Sequence, residues 1–275
     1  MSLFEIVPNL SEGRDLATID ACVAAVERTG AQVVHRTSDA AHNRSVLTVL
    51  GNGPELVEAA VALAGVAVER IDLRSHAGVH PRIGALDVLP FVPLRDATLE
   101  NAAALAYRAA ERIWERYRVP SYYYDAASPG GRTLPQVRRG RFEGLSGRAD
   151  GPDVGDERGH ASAGAIAVGA REVLVAFNVD LATGDLAIAE AIAAVVRERG
   201  GGMRTLRALG LRLGPERVQV SLNVTWYDAT TLYRAVETVR HLAARHGVSI
   251  ARCELIGCLP REAVARSARY YLGVT

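Results

Sequence analysis

The run Arg74-Ser75-His76-Ala77-Gly78-Val79-His80-Pro81-Arg82-Ile83-Gly84-Ala85-Leu86-Asp87-Val88 crowds two histidines, two arginines and two glycines between strand-like segments. Proline confines the residue before it to extended backbone angles and glycine permits sharp turns. Pro81, Gly78 and Gly84 can therefore hold the His80 imidazole on a loop in a fixed direction. An imidazole with an ordinary pKa of about 6.5 takes and returns protons near neutrality, which makes His80 a candidate general acid–base residue. Two other readings stand beside this one. His76 and His80 have the spacing of the zinc-binding motif H-E-x-x-H, but Ala77 stands where the glutamate belongs and Gly78 and Pro81 oppose the helix the motif needs, so no metal is expected. Alternatively, both imidazoles simply bond to backbone groups of a turn.

A second polar cluster is Ser38-Asp39-Ala40-Ala41-His42-Asn43-Arg44. Asp39 has the charge to hold a cationic amidine and Arg44 the charge to hold a carboxylate, because charge-assisted pairs are strong and directional. The competing reading is a solvated loop with Asx-turn chemistry, and it applies equally to Asn9 and Glu12 in the turn Asn9-Leu10-Ser11-Glu12-Gly13. Arg138, Arg139 and Arg141 can meet a polyanionic tail or lie solvated. Between Asp153 and Gly164, Gly155, Gly159 and Gly164 accompany His160 and Ser162, a composition that suits either close approach to a flat ligand or a mobile linker. Gly200-Gly201-Gly202 follows a predicted helix and lacks a P-loop lysine, and no Gly-x-Ser-x-Gly elbow or dinucleotide fingerprint occurs in its required context.

These residues need a scaffold, and the chain alternates strands and helices. A strand is expected from Phe4 to Pro8, then a helix carrying Leu16, Ile19, Val23 and Val26, capped by Asp15 and closed by Gly30. Strands follow at Gln32–Arg36 and Ser45–Leu50, a helix from Pro54 to about Val68, strands at Arg70–Leu73 and Leu86–Val92, a helix over Leu99–Tyr117 and a strand at Ser121–Tyr124. Ala126 to Gly164 has no periodicity, and so long an irregular segment is usually functional or disordered. The second half reads as strand Val173–Val179, helix Asp185–Arg199, strands Leu206–Leu213 and Arg217–Thr225, helix Thr231–Arg245, strand Ser249–Leu255 and a closing helix from Pro260. Val218, Val220, Leu222 and Val224 alternate with polar residues, giving one apolar and one polar face. The expected fold is therefore α/β (α+β), with two ferredoxin-like βαββαβ sandwich subdomains over 1–168 and 169–275 and a ligand cleft between them.

The length, 275 residues, suffices for a sizeable core, and the net charge of +1 provides no field to draw the protein onto nucleic acid or a membrane. No apolar run reaches the length of a membrane span, and the N-terminus lacks signal-peptide features, so a cytoplasmic location is expected. Cys22, Cys253 and Cys258 form no C-x-x-C pair and are expected to be buried thiols.

Taken together, several runs resemble the formiminotransferase family: Val7-Pro8-Asn9-Leu10-Ser11-Glu12-Gly13, Asn43-Arg44, His80 through Val88, Arg132-Thr133-Leu134-Pro135, Gly169-Ala170-Arg171 and Ala176-Phe177-Asn178. Weaker echoes at Val218–Asn223 and Glu254-Leu255-Ile256-Gly257 extend the resemblance over nearly the whole chain. It implies a homodimeric transferase that moves a formimidoyl group between N-formimidoyl-L-glutamate and tetrahydrofolate, the latter a co-substrate, with no metal. It assigns the active-site histidine to His80, with Asn9, Glu12, Asp39, Asn43, Arg44 and Arg82 as candidate substrate-binding residues. The family's folate-binding segment falls on Gly155, Asp156, Glu157, Arg158, Gly159, His160, Ala161, Ser162, Ala163 and Gly164. That segment lacks the prolines, aromatic pair and serine pair of the vertebrate form, while His160, Ser162 and Gly164 suit the bacterial one. A cyclodeaminase portion after Thr275 is not expected, and the product is expected to pass to another protein, for which a separate cyclodeaminase is the candidate. Formyl transfer from N-formyl-glutamate, folate binding without catalysis, and a structural role beside a cyclodeaminase are the alternative functions.

Overall fold

The structure, a computed structural model, describes residues 2–274 and divides the chain into two units, with the boundary between Glu172 and Val173. In the first unit, β1 (Leu3–Ile6) and β2 (Asn9–Leu10) are one strand interrupted at Val7-Pro8. Proline has no N–H to contribute to a ladder, but the Pro8 carbonyl still accepts the Leu47 N–H at 3.1 Å. Helix α1 (Leu16–Glu27) starts where the Asp15 carboxylate accepts the N–H groups of Ala17 and Thr18. Next come the hairpin strands β3 (Gln32–Asp39) and β4 (Arg44–Gly51), then α2 (Gly53–Arg70), opened by an Asn52–Glu55 capping box with Pro54 in its first turn. Strand β5 (Leu86–Arg95) completes the order β3-β4-β1/β2-β5, the ferredoxin-like arrangement expected.

This sheet is larger than expected. Helix α3 (Leu99–Tyr117) leads to β6 (Ser121–Asp125), and β7 (Ile166–Ala170) inserts between β5 and β6, parallel to both. Sequence reading overlooked β7 because Ile-Ala-Val-Gly-Ala has no alternation: all five residues are buried, as in strands covered on both faces. The strand expected at Arg70–Leu73 is absent. Arg70 ends α2, and Ile71 and Leu73 enter the core without a sheet partner, so their alternation reflects burial rather than a ladder.

Segment 126–164 is ordered by α4 (Leu134–Val137) and a 3-10 turn at Phe142–Gly147. Its Val137 and Leu145 pack with Ile83, Val88, Tyr122, Tyr124, Ala165 and Ala167. Tyr123, Ile166 and Val168 point the other way, into the core beneath α1, α2 and α3. Successive strand residues face opposite sides, so the sheet carries helices on one face and this segment on the other.

The second unit runs β8 (Val175–Leu181), α5 (Leu186–Val196), β9 (Leu206–Gly214), β10 (Arg217–Val224), α6 (Leu232–Ala244), β11 (Ile250–Ile256) and α7 (Arg261–Leu272). Its antiparallel order, β11-β8-β10-β9, is again ferredoxin-like. Val218, Val220, Leu222 and Val224 are all fully buried, as their alternation predicts. The cysteines need correcting. Cys22 lies in the core, where burial pushes its thiol up to about 12, but Cys253 and Cys258 are exposed because β11 is an edge strand and Cys258 follows it in a loop. Among the described residues, no helix is long and apolar enough to cross a membrane.

One glycine fixes how the His80 run meets the sheet. A Cβ on Gly84 would lie 2.1 Å from the Ala165 carbonyl oxygen and 2.6 Å from that of Leu86, both backbone atoms. Gly84→Ala is therefore expected to destabilise the protein by about 1–3 kcal/mol. An unchanged thermal unfolding midpoint would contradict this close approach.

Candidate active site

Asn43 adopts a left-handed backbone (φ 46) at the start of β4 and is buried. Its Oδ1 accepts the Gly13 N–H at 3.0 Å and its Nδ2 donates to the Ala77 carbonyl at 3.1 Å. One side chain thus ties the N-terminal turn to the run containing His80. Gly78 allows the contact: a Cβ there would fall 2.3 Å from the His42 carbonyl oxygen. His76 braces the same loops. Its Nε2 lies 3.0 Å from the Asn43 carbonyl, so Nε2 carries the proton, while Nδ1 accepts from Arg82 Nε at 2.9 Å. Burial lowers the His76 pKa, against the opposing bond to Asn43. Arg82 is in turn held by Glu143 through Nη2 at 2.9 Å.

Beneath this loop lies a line of buried charge. Asp87 is fully buried, and its Oδ2 receives Arg44 Nη1 at 2.8 Å and Arg138 Nη2 at 2.5 Å. Its Oδ1 receives the Ile83 N–H at 2.7 Å. Arg44 also directs Nε and Nη2 to Asn9 Oδ1, at 3.2 and 2.7 Å. Burial pushes the Asp87 carboxyl up, but Arg138 and Arg44 outweigh it and hold the group well below the ordinary carboxylate range. Burial in turn lowers Arg44 to about 10, against the pull of Asp87.

His80 stands over this charge. Its Nδ1 lies 2.8 Å from the Pro81 carbonyl oxygen. A carbonyl only accepts, so Nδ1 carries the proton and the neutral ring keeps its lone pair on Nε2. Burial, followed by the positive charges of Arg44 and Arg138, holds the His80 pKa well below that of a free imidazole, while Asp87 and the Pro81 carbonyl pull weakly the other way. At neutral pH the ring is an uncharged base. Both ring nitrogens of His76 are engaged, by the Asn43 carbonyl and by Arg82, and among the described residues no group of three or more His, Cys, Asp or Glu side chains is arranged to hold an ion.

The remaining candidate residues fall into three groups. Asn9, Asn43, Arg44 and Arg82 join the network around His80 through the bonds above. Glu12 and Asp39 serve their own turns: Glu12 Oε1 accepts the N–H groups of Arg14 and Asp15 at 2.7 and 2.9 Å, and Asp39 Oδ1 accepts that of His42 at 2.7 Å. The His42 ring nevertheless brings this hairpin to 5.9 Å, centroid to centroid, from the His80 ring. In the segment from Gly155 to Gly164, the carbonyls of Ser162 and Ala163 accept the N–H groups of Leu73 and Ala85 at 2.8 and 2.9 Å, so its end is bonded to both sides of the His80 run. His160 and Gly164 exchange backbone bonds at 2.7 and 2.9 Å, and His160 Nδ1 accepts the Ala163 N–H at 3.1 Å, which closes a tight turn. Gly155 packs on Trp114 and Pro120, Gly159 on Leu145. Asp156, Glu157, Arg158 and Ala161 are exposed, and Asp156 lies 3.7 Å from Arg118.

Sequence reading assigned no role to Asp87 or Glu143, and it left Arg138 between a polyanion contact and a solvated position; its alternative for His76 and His80, imidazoles bonded to backbone groups, is met by the Asn43 and Pro81 carbonyls. Asp87 and Arg138 are 51 residues apart, so no local pattern joins them. The available signals were an aspartate in the His80 run and an arginine just after Arg132-Thr133-Leu134-Pro135.

Comparison with known proteins gives this geometry a context. The family model for the formiminotransferase domain, N-terminal subdomain, matches residues 3–171, and that for the formiminotransferase domain matches residues 176–274. A glutamate formimidoyltransferase of Streptococcus pyogenes is 41% identical, covering 99% of this chain and 94% of that protein. One from Thermoplasma acidophilum is 38% identical, covering 99% and 93%. The formimidoyltransferase-cyclodeaminase of Rattus norvegicus is 34% identical over 98% of this chain but only 52% of its own length.

Proposed function

The chain belongs to the formiminotransferase family, and we propose that it is a glutamate formimidoyltransferase, moving the formimidoyl group between N-formimidoyl-L-glutamate and tetrahydrofolate with His80 as the proton carrier. The observation that carries this reading is the 2.8 Å approach of His80 Nδ1 to the Pro81 carbonyl, which assigns the proton to Nδ1 and leaves the lone pair on Nε2, in surroundings that lower the ring's pKa. In the direction of folate loading, His80 Nε2 accepts the proton lost by the folate amine as that nitrogen bonds to the formimidoyl carbon. His80 then returns the proton to the glutamate nitrogen as its bond to the same carbon breaks. One base thus serves both halves of the displacement. Asp39 offers a negative charge to the amidinium of the donor. Asn9, Glu12, Asn43, Arg44 and Arg82 shape and charge the donor side of the site, and the turn from Gly155 to Gly164, bonded to the His80 run, receives the folate.

The expected setting is a cytoplasmic homodimer that works in histidine breakdown and hands formimidoyl-folate to a cyclodeaminase. The names of the rat relative and its like support this last step, since they join both activities in one protein.

Incubation with tetrahydrofolate and N-formimidoyl-L-glutamate is expected to release glutamate only when both are present, and faster than from N-formyl-L-glutamate. Folate binding without release from either donor would overturn the assignment. The pH profile follows from the same ring. Only neutral imidazole accepts a proton, and the pKa of His80 lies well below 6.5, so its active form persists above that depressed value and disappears as the pH falls through it. On its acid side, kcat/KM is therefore expected to hold level past pH 6.5 and decline only below it; a His80-dependent limb centred at or above 6.5 would contradict this electrostatic setting.

A further inference from the structure

Three arginines meet in the network around His80, and they differ in what their N–H groups do. Arg44 directs Nε and Nη2 to Asn9 and Nη1 to Asp87. Arg82 directs Nε to His76, Nη1 to Glu143, and Nη2 to Glu143 and the His76 carbonyl. Arg138 bonds through Nη2 to Asp87, while its buried Nε has no acceptor. A buried N–H without a partner has lost its bond to water and gained nothing in exchange, so such a group calls for an explanation. Charge points the same way. Asp87 contributes one negative charge against the two positive charges of Arg44 and Arg138, which leaves an excess of one positive charge beside His80. The Arg138 side chain is 14% exposed against 8% for Arg44, so it is the more open of the two arginines on Asp87.

An anion that completes both deficits sits at Arg138, whose charge acts on His80. The formimidoyl nitrogen of the donor is attached to the carbon that bears its α-carboxylate, whereas the glutamyl carboxylates of a folate lie beyond its aminobenzoyl ring, far from the reacting amine. We propose that Arg138 receives a carboxylate of the glutamate-derived donor and so decides which amidines the enzyme accepts. This inference rests on the transferase reading above.

The test is steady-state kinetics of Arg138→Gln with N-formimidoyl-L-glutamate and with its α-amide and γ-amide. The substitution leaves Asp87 balanced by Arg44 alone, so the variant is expected to fold, as near-UV circular dichroism will report. KM for the diacid donor is expected to rise roughly 10- to 100-fold, the worth of a hydrogen bond between charged groups, while KM for tetrahydrofolate changes less than about threefold. One of the two amides should suffer a comparable loss with the wild-type enzyme, and the variant should no longer distinguish that amide from the diacid. If Arg138→Gln misfolds, Arg138→Lys makes the same comparison, because it keeps the charge beside Asp87 and removes the Nε–H. A folded variant with unchanged donor KM, or one whose loss falls on tetrahydrofolate, overturns the proposal. A wild-type protein that releases no glutamate from the diacid overturns the transferase reading instead.

Discussion

Replacing His80 with alanine is expected to lower kcat for formimidoyl transfer by roughly 100- to 10,000-fold, the usual worth of a positioned proton-transfer group, while leaving the protein folded. The two parts of that expectation have separate grounds. Transfer requires a proton to leave the attacking nitrogen and another to reach the departing one, and His80 Nε2 is the unprotonated nitrogen of a ring whose other nitrogen is fixed by Pro81. The ring's hydrogen bond is to the carbonyl of the adjacent residue rather than to another element, so its removal breaks no hydrogen bond between elements. His76 provides the contrast: its two nitrogens link Asn43 to Arg82, so His76→Ala should loosen the loop as well as slow the reaction. Stopped-flow or coupled detection of glutamate, with circular dichroism on the same sample, separates these effects. A folded His80→Ala protein within about threefold of wild-type kcat would remove His80 from the chemistry.

The second large effect is expected at Asp87. Asp87→Asn removes the negative charge shared by Arg44 and Arg138 and turns an amide N–H₂ toward donors that need acceptors. Breaking a buried ion pair by removing one partner typically costs about 3–5 kcal/mol, because the remaining charge stays desolvated. Here two guanidinium groups remain, 8% and 14% exposed, so a loss at the upper end of that range is expected as a fall in the urea midpoint. Combining Asp87→Asn with Arg138→Leu should restore part of it, since one uncompensated charge then remains instead of two. The folded Asp87 pKa is lowered, so its contribution is fully present above the unfolded-state value, about 3.9, and is lost as pH falls through the folded value. An Asp87→Asn protein as stable as wild type at pH 7 would show that the three charges are not coupled as described.

Much of this scaffold was legible because local rules and tertiary packing agree. Helix α3 spans Leu99–Tyr117 as expected, and β10 buries the four residues that alternate. Where they disagree, the local reading fails. Strand β7 is covered on both faces and three of its five residues are Ala or Gly, so it shows no alternation and only Ile166 and Val168 favour a strand, while Ile71 and Leu73 alternate without forming a strand. The site divides in the same way. The His80 ring bonds the carbonyl of the next residue, Pro81, a contact that lies within a few residues of sequence. Its electrostatic setting comes from Asn9, Arg44, Asp87 and Arg138, brought together across 35 to 51 residues of chain, and only the folded sheet with its covering segment unites them. The turn at Asp39 shows a different limit: the same short run reads equally as an Asx-type turn and as a charged side chain for a substrate, spacing alone does not rank the two, and the contact the structure shows is the turn's own, from the His42 N–H to Asp39 Oδ1.

Catalysis by His80 requires a neutral ring with its lone pair on Nε2, and nitrogen-15 NMR of histidine-labelled protein at pH 7 reads that state directly. The His80 resonances can be assigned by their absence from His80→Ala. A protonated Nδ1 with an unprotonated Nε2 is the predicted result, whereas a doubly protonated ring, or a single proton on Nε2, would contradict the role assigned to His80.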